Sequence, residues 1–424
     1  MIWFLLKGIL RDRHRSLFPI IIVSLGVALT VLLYTWIMGI MSDMLDVSAR
    51  FDTGHVKVVT PAYWEIESQV PNDLGLFKIS KLQADIAARY PEYSWSPRIR
   101  YGGILDIPDE KGETRSQGPV MGLGLDLLSP GSKEVERLKI ATSIMRGRMP
   151  AKAGEILITE EFARGLGVNI GETATLISAT AAGGMAIQNF VVVGTVQFGL
   201  QNLDRGTMIA DIRDIQYALD MEDACSELLG FQNDMVFDEA DVQRIKDDFN
   251  GHWQNPVDKY APMMLALTDQ RGLGEYYAYI KSFAFIMVFI FIFAMSIVLW
   301  NTSLMSGIRR YGEIGVRLAI GESKGGIYKR MLLESVMIGV IGSVIGTAIG
   351  LLFAYYLQEV GLDISSMMRG STMMIQSVVR AKLTPTSYYL GFIPGVIATT
   401  IGTAFSGVGV FKRQTATLFK ELET

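Results

Sequence analysis

The side chains able to do covalent or metal chemistry are few and scattered. His14, His55 and His252 belong to no HExxH pair and no Ser-His-Asp set, and His14 is expected across a membrane from the other two. The single cysteine, Cys225, excludes an intrachain disulfide framework and a cysteine-based zinc site. Gly321-Glu-Ser-Lys-Gly holds a glycine and a lysine without the GxxxxGK[ST] spacing whose backbone amides cradle phosphates, so ATP is not bound by that route. Gly122-Leu-Gly-Leu-Asp126 lacks the third glycine of a dinucleotide fingerprint and reads as a glycine-rich strand or turn. The chemistry that does concentrate is ionic. Arg309 to Glu334, RRYGEIGVRLAIGESKGGIYKRMLLE, carries eight basic and acidic residues in its first 22 positions, between two long apolar runs. A central Arg or Lys in hydrocarbon costs roughly 2.5–3.5 kcal/mol on insertion scales, so this stretch must face water while tied to the bilayer at both ends.

The elements that tie it are apolar spans. Half of the 424 residues are hydrophobic and 19% are charged, and the mean hydropathy of +0.30 suits a membrane bundle joined to a water-soluble part. Residues 1–16 place Ile2, Trp3, Leu5, Leu6, Ile9 and Leu10 on one helix face and Lys7 and Arg11 on the other, the pattern of a surface-lying amphipathic helix or of a signal n-region. Residues 17–41 run uncharged for longer than a signal h-region and read as a first span. Residues 282–308, 331–357 and 383–411 give three more, the last expected to kink at Pro394, and Gly339, Gly342, Gly346 and Gly350 line one face of the third. With four spans, basic residues of the tails (1–16 and 412–424) and of the loop 309–330 outnumber those of the opposite loop 358–382 by 13 to 3, which places both termini in the cytoplasm.

Residues 42–281 form a water-soluble α+β insertion between spans one and two, on the outer face. Strands are expected at His55–Val59, Gly102–Pro108, Glu155–Ile158, Thr173–Ser178, Phe190–Gly194 and Met235–Asp238, and helices at Ile79–Tyr90, Thr159–Leu166 and Glu239–Phe249. Two lobes are expected, the second over about 140–225.

Three motifs in this four-span frame resemble the FtsX/MacB-type permeases of ABC transporters. Glu313-Ile-Gly-Val-Arg-Leu-Ala-Ile-Gly321 with Leu332-Leu-Glu-Ser335 is similar to the family's "EIGxxRAxG" and "LLEA". Gly154-Glu-Ile-Leu-Ile158, Leu166-Gly-Val-Asn-Ile-Gly171 and Phe190-Val-Val-Val-Gly194 are similar to the "GEIvI…LGLkvGD…fkVVG" pattern of its periplasmic domain. Gly54-His-Val56 is similar to the "GHI" of lipoprotein-releasing permeases. The tip Ser178–Asn189 departs from those permeases in being short, without a carrier-docking hook, and the tail 414–421 lacks the usual proline.

The resemblance implies an inner-membrane permease subunit that couples ATP hydrolysis by a separate ATPase to motion of the outer domain. Its output would be extraction or export of a lipoprotein, lipid or other amphiphile. The alternative is a regulatory complex controlling a cell-wall hydrolase or reporting antibiotic binding. No cofactor is expected on this chain, ATP and magnesium belonging to the partner ATPase dimer. Further expected partners are a second permease copy or homologue, membrane lipids and a periplasmic protein; no basic stripe with interleaved aromatics argues for nucleic acid. The coupling residues implied are Arg309, Arg310, Glu313, Ile314, Gly315, Val316, Arg317, Leu318, Ala319, Ile320 and Gly321, with Glu313 and Arg317 spaced for an ion pair. Glu334 either pairs with Arg330 or snorkels. Candidates for substrate or partner contact are Met367, Met368, Met373 and Met374, which suit varied apolar ligands or membrane-facing packing, and Gly183, Gly184 and Met185 at the tip.

Overall fold

The structure, a computed structural model, describes residues 13–199, 201–233, 235, 237–270, 272–309, 311–363 and 378–412. The chain divides into two units, residues 1–43, 278–363 and 378–424 forming one and residues 44–277 with 364–377 the other.

The first unit is built on four long helices: α1 (Arg13–Ser48), α2 (Leu273–Arg309), α3 (Lys324–Glu359) and α4 (Phe392–Lys412). Each contains a stretch long and apolar enough to cross a membrane. Hydrocarbon offers no water to polar groups, and several hydroxyls here bond within their own helices. Thr30 donates to the Gly26 carbonyl at 2.8 Å, Ser296 to Ile292 at 2.7 Å and Thr399 to Gly395 at 2.9 Å. Gly339, Gly342, Gly346 and Gly350 of α3 are buried and lie where other helices come closest. A Cβ at Gly342, Gly346 or Gly350 would stand 2.7, 2.5 and 2.9 Å from Val23, Ser24 and Val31 of α1, and one at Gly339 would stand 2.5 Å from Thr399 of α4. The expected kink at Pro394 falls elsewhere. The helical path breaks at Gly391, after a turn over Ser387–Leu390, and Pro394 sits in the first turn of α4, where a missing N–H costs nothing.

The second unit is α+β. Its strands are β1 (Val56–Val59), β2 (Leu76–Phe77), β3 (Tyr93–Pro108), β4 (Thr114–Leu125), β5 (Ile144–Gly147), β6 (Glu155–Thr159), β7 (Thr173–Ala179), β8 (Met185–Val196), β9 (Thr207–Asp211), β10 (Ala224–Cys225), β11 (Glu227–Gln232) and β12 (Met263–Ala266). The long strand β3 belongs to two arrangements. Its first half, Tyr93–Arg98, pairs with β11, which continues to β1 and β12. Its second half enters a ring of pairings, β3–β4–β9–β6–β8–β7 and back to β3, which closes a six-stranded barrel. The barrel therefore takes in Ile99–Leu125 as well as much of the stretch 140–225. Leu105, Ile107, Ile156, Ile158, Leu176, Phe190, Val192 and Met208 belong to one continuous buried core. Gly122 lies opposite Tyr101, whose ring occupies the place of a Cβ at 1.9 Å, so this glycine in β4 makes room for a tyrosine.

Of the stretch Met235–Asp238, expected as a strand, the described residues Met235, Phe237 and Asp238 lie in none. Met235 has φ +56°, and Asp238 caps the helix Glu239–Trp253 by accepting from the N–H groups of Ala240 and Asp241. The strand in this region is β11, one turn earlier in the chain. It opens on Glu227, which is fully buried, a charge that marks no core strand by pattern.

Candidate coupling site

After α2 ends at Arg309, the chain forms a short helix, Tyr311–Ala319. Arg310 lies outside the described residues, as do the side chains of Arg309, Glu313 and Ile314 and with them the expected Glu313–Arg317 pair. The rest of the segment sorts into two sides. Gly315 is buried and Arg317 half-buried. Leu318 turns toward the start of α3 and packs with Ile327 and Met331. Val316 and Ile320, one turn apart, are 51% and 81% exposed. The expected apolar face is thus divided, one leucine fastening the helix to its own chain while two branched side chains stay uncovered.

The helix stops because Gly321 takes φ +98°, in the left-handed region that glycine enters without a Cβ penalty. Its N–H donates to the Leu318 carbonyl at 3.1 Å and that of Glu322 donates to Arg317 at 3.0 Å, satisfying the last carbonyls of the helix. Ser323 then begins α3, its hydroxyl accepting from the Gly326 N–H. Arg330 reaches Glu322, with Nε 3.3 Å from Oε1, and Glu334 is half-buried in α3.

A second concentration of charge, not found from the sequence, lies in the α+β unit around residues 49–55. Ala49–Thr53 form one π turn, and each of the following carbonyls is taken by a specific donor. The Gly54 N–H donates to Ala49 at 2.9 Å, Arg98 to Phe51 at 3.2 Å, Arg100 to Asp52 at 3.3 Å and the Gln270 amide to Thr53 at 3.0 Å. Arg98 and Arg100 are two apart on β3 and so lie on one face. Buried carboxylates back them. Glu134 meets Arg98 at 2.9 Å and also pairs with Arg137. Glu227 meets Arg100 at 2.9 Å and Lys57 at 3.0 Å, and Lys57 also meets Glu67 at 2.9 Å. Lys57, Arg98, Glu134 and Glu227 are almost wholly shielded from solvent.

Burial alone would raise the Glu134 carboxyl, but the Arg98 and Arg137 guanidinium groups hold it below the usual carboxylate range. Burial pushes the Tyr63 phenol up, and Glu227, which accepts from its hydroxyl at 3.4 Å, adds to the rise. These groups come from β1, β3, β11 and the segment near 134, distant stretches that no spacing rule connects. The one sequence signal is the pair Arg98 and Arg100 inside a run of strand-forming residues.

Gly183, Gly184 and Met185 form and follow the turn between β7 and β8. Gly183 takes φ +82°, the Gly184 N–H donates to the Thr180 hydroxyl at 2.9 Å, and Met185 is 75% exposed. Gly183 and residues 69–73 both line an open crevice of about 510 Å³. Met367, Met368, Met373 and Met374 lie outside the described residues.

Residues 285–415 match the family model described as FtsX-like permease C-terminal. A macrolide export ATP-binding/permease protein MacB of Neisseria meningitidis is 39% identical over 71 residues, 16% of this chain and 11% of that protein. The MacB of Psychrobacter cryohalolentis is 29% identical over 94 residues, 22% of this chain and 14% of that protein. The matched stretch therefore spans only about a tenth of the curated relatives' length. Among solved structures, the periplasmic region of MacB from Actinobacillus actinomycetemcomitans aligns over 50% of this chain and 88% of that one, at a TM-score of 0.33 and 12% identity. The C-terminal third of the chain, residues 285–415, is thus similar to the C-terminal domain of FtsX-like permeases, and shorter stretches of the chain are similar to MacB export permeases.

Proposed function

We propose that this permease transmits force from a separate cytoplasmic ATPase to the α+β unit, which is inserted between α1 and α2 on the outer face of the inner membrane. Transport of an amphiphile such as a lipid or lipoprotein is the output. The observation that carries the reading is the exposed Val316–Ile320 pair on a short helix fastened to α3 by Leu318. Two branched apolar side chains left in water beside basic residues form a knob suited to a groove on a soluble partner. The 13-to-3 distribution of basic residues supports placing that knob, and both termini, in the cytoplasm. The α+β unit returns its chain to α2 through Gln270, which bonds the turn that follows α1, so a displacement of either helix end reaches the same strands. A second permease copy, or a homologue, completes the assembly.

The test is an Ile320→Asp and Arg317→Glu pair of variants in the complex purified with its ATPase subunit. Both should lose that subunit or its permease-dependent ATP turnover. Retention of the subunit with full turnover in both variants overturns the coupling reading. Export is read separately, by the release of labelled lipoprotein from proteoliposomes on adding ATP. Turnover without release moves the output from transport to regulation of an outer partner.

A further inference from the structure

The barrel has two outer walls, and only one is covered. On the β9–β6 side, outward residues such as Ile209 and Leu157 lie under a second apolar layer containing Leu138, Ile140 and Phe198. On the β4–β3–β7–β8 side nothing comparable lies over the sheet among the described residues. There Pro119, Ile104, Ile177 and Ile187 stand directly opposite one another, one from each of four neighbouring strands. They form an apolar row across the wall. The next outward row contains Met121 and Gly102, paired between β4 and β3, and Ala179 and Met185, paired between β7 and β8. Ile104, Met121, Met185 and Ile187 are 42%, 60%, 75% and 63% exposed. On the other side of the apolar row, Gln117, Asp106, Thr175 and Asn189 make a polar one, closed in part by the Thr175–Asn189 hydrogen bond at 2.9 Å. The apolar area therefore has a definite border.

At its upper end the wall opens into the crevice of about 510 Å³, to which Gly102 and Ala179 also belong. That volume lies within the range of roughly 300–1,000 Å³ typical of small-molecule sites. A Cβ at Gly102 would meet nothing within 4 Å, so the floor between the two features is open. The crevice is polar where the wall is apolar. Asn72, Ser178 and Thr180 contribute amide and hydroxyl groups, and Asp73 carries the only charge among the described residues lining it.

We propose that the wall and crevice together bind an amphiphile, its tail along the row from Pro119 to Ile187 and its uncharged or cationic head beside Asp73. Three arguments select this occupant. The middle of the wall cannot accept an added strand, because β3 and β7 are each paired on both sides there. The exposed apolar area is on the order of a few hundred Å², the size of a functional patch and short of the ~800 Å² per partner that a standard protein complex buries. The crevice offers a carboxylate and no basic side chain, which opposes a phosphate or sulfate head and favours an ammonium, amide or sugar. Two methionines at the margin, Met121 and Met185, let the wall adapt to tails of different shape. The proposal concerns the α+β unit alone and needs no ATPase.

The experiment uses the full chain in lipid nanodiscs, with decyl amphiphiles carrying a diazirine in the tail and a trimethylammonium, maltoside or sulfate head, each below its micelle concentration. After photolysis, peptides covering 102–121 and 173–191 should be labelled by the ammonium and maltoside probes at least fivefold more than by the sulfate probe. The double variant Ile104→Ser and Ile187→Ser should lose most of that labelling while its unfolding temperature stays within a few degrees of wild type. If that variant fails to fold, Asp73→Asn, which leaves the apolar row intact, should narrow the ammonium-to-sulfate ratio toward one. Equal labelling by all three probes, labelling unchanged in either variant, or labelling confined to α1–α4 would overturn the proposal. So would protection of the wall by a second copy, seen as a crosslinked dimer through residues 104, 121 or 187.

Discussion

Two short stretches that adjoin long helices, residues 49–55 and residues 311–323, are held in opposite ways. The first is fixed by buried charge. Every carbonyl from Phe51 to Thr53 has its own side-chain donor, and the donors Arg98 and Arg100 are in turn fixed by Glu134 and Glu227. In the second, the packing seen among the described residues is apolar, Leu318 on Ile327 and Met331, beside a turn that Gly321 and Ser323 close. Buried ion pairs tolerate almost no displacement, because moving one partner strands the other in a medium that cannot solvate it. A single leucine in a shallow contact tolerates a good deal. The difference teaches where the chain is stiff and where it can adapt: stiff around residues 49–55, adaptable where Val316 and Ile320 stay exposed.

The comparison breaks most sharply at Glu134. Glu134→Ala leaves Arg98 and Arg137 buried together without a counter-charge, and a loss of about 3–5 kcal/mol is expected. In the full chain this reads as a fall in melting temperature of roughly 10 °C for the α+β transition. A change under ~2 °C would show that the arginines are held by something other than this carboxylate. Acid should expose the same dependence. Since the folded carboxyl titrates below its ordinary value of 4.5, its contribution is complete above that pH and is lost as pH falls through the lower, folded value. Stability of the wild type should therefore drop more steeply below about pH 4.5 than that of Glu134→Gln; parallel curves would remove Glu134 from the account.

The adaptable stretch should respond less. Gly321→Ala forces a methyl group into a backbone at φ +98° and should cost about 1–2 kcal/mol, read by heat or denaturant unfolding of the membrane unit. Leu318→Ala removes a partly buried contact and should cost about 1 kcal/mol. Ile320→Ser should leave stability within ~0.5 kcal/mol, since the side chain is already in water. If Ile320→Ser instead destabilises the isolated chain as much as Leu318→Ala, the sorting of this helix into a fastened and an offered side is wrong.

Local pattern was enough for some of this architecture. Four apolar helices, the glycine face of α3 and the strands Glu155–Thr159 and Thr173–Ala179 were all legible, because each depends on neighbours within a turn or a strand. The barrel was not. Its closure rests on β7 returning to β3 and on the parallel pairs β4–β9 and β6–β8, contacts whose partners lie far apart in sequence. β11 was hidden by Glu227, a charge that a buried strand accommodates only because Lys57 and Arg100 stand beside it. In the segment 314–320 the amphipathic pattern identified the apolar residues without distinguishing Leu318, which serves the chain's own core, from Val316 and Ile320, which do not.

The pairing of β1 has a consequence for how the chain is made. Val56 lies between Gly230 of β11 and Ala266 of β12, so both neighbours of β1 are synthesised long after it. At ~5–20 residues per second, a gap of about 200 residues leaves this strand waiting for roughly ten to forty seconds with both edges open. During that interval VKVV is a short, β-prone segment with little to discourage it from pairing with another chain. A nascent chain arrested before residue 266 should therefore aggregate or recruit a chaperone, and one released after it should not.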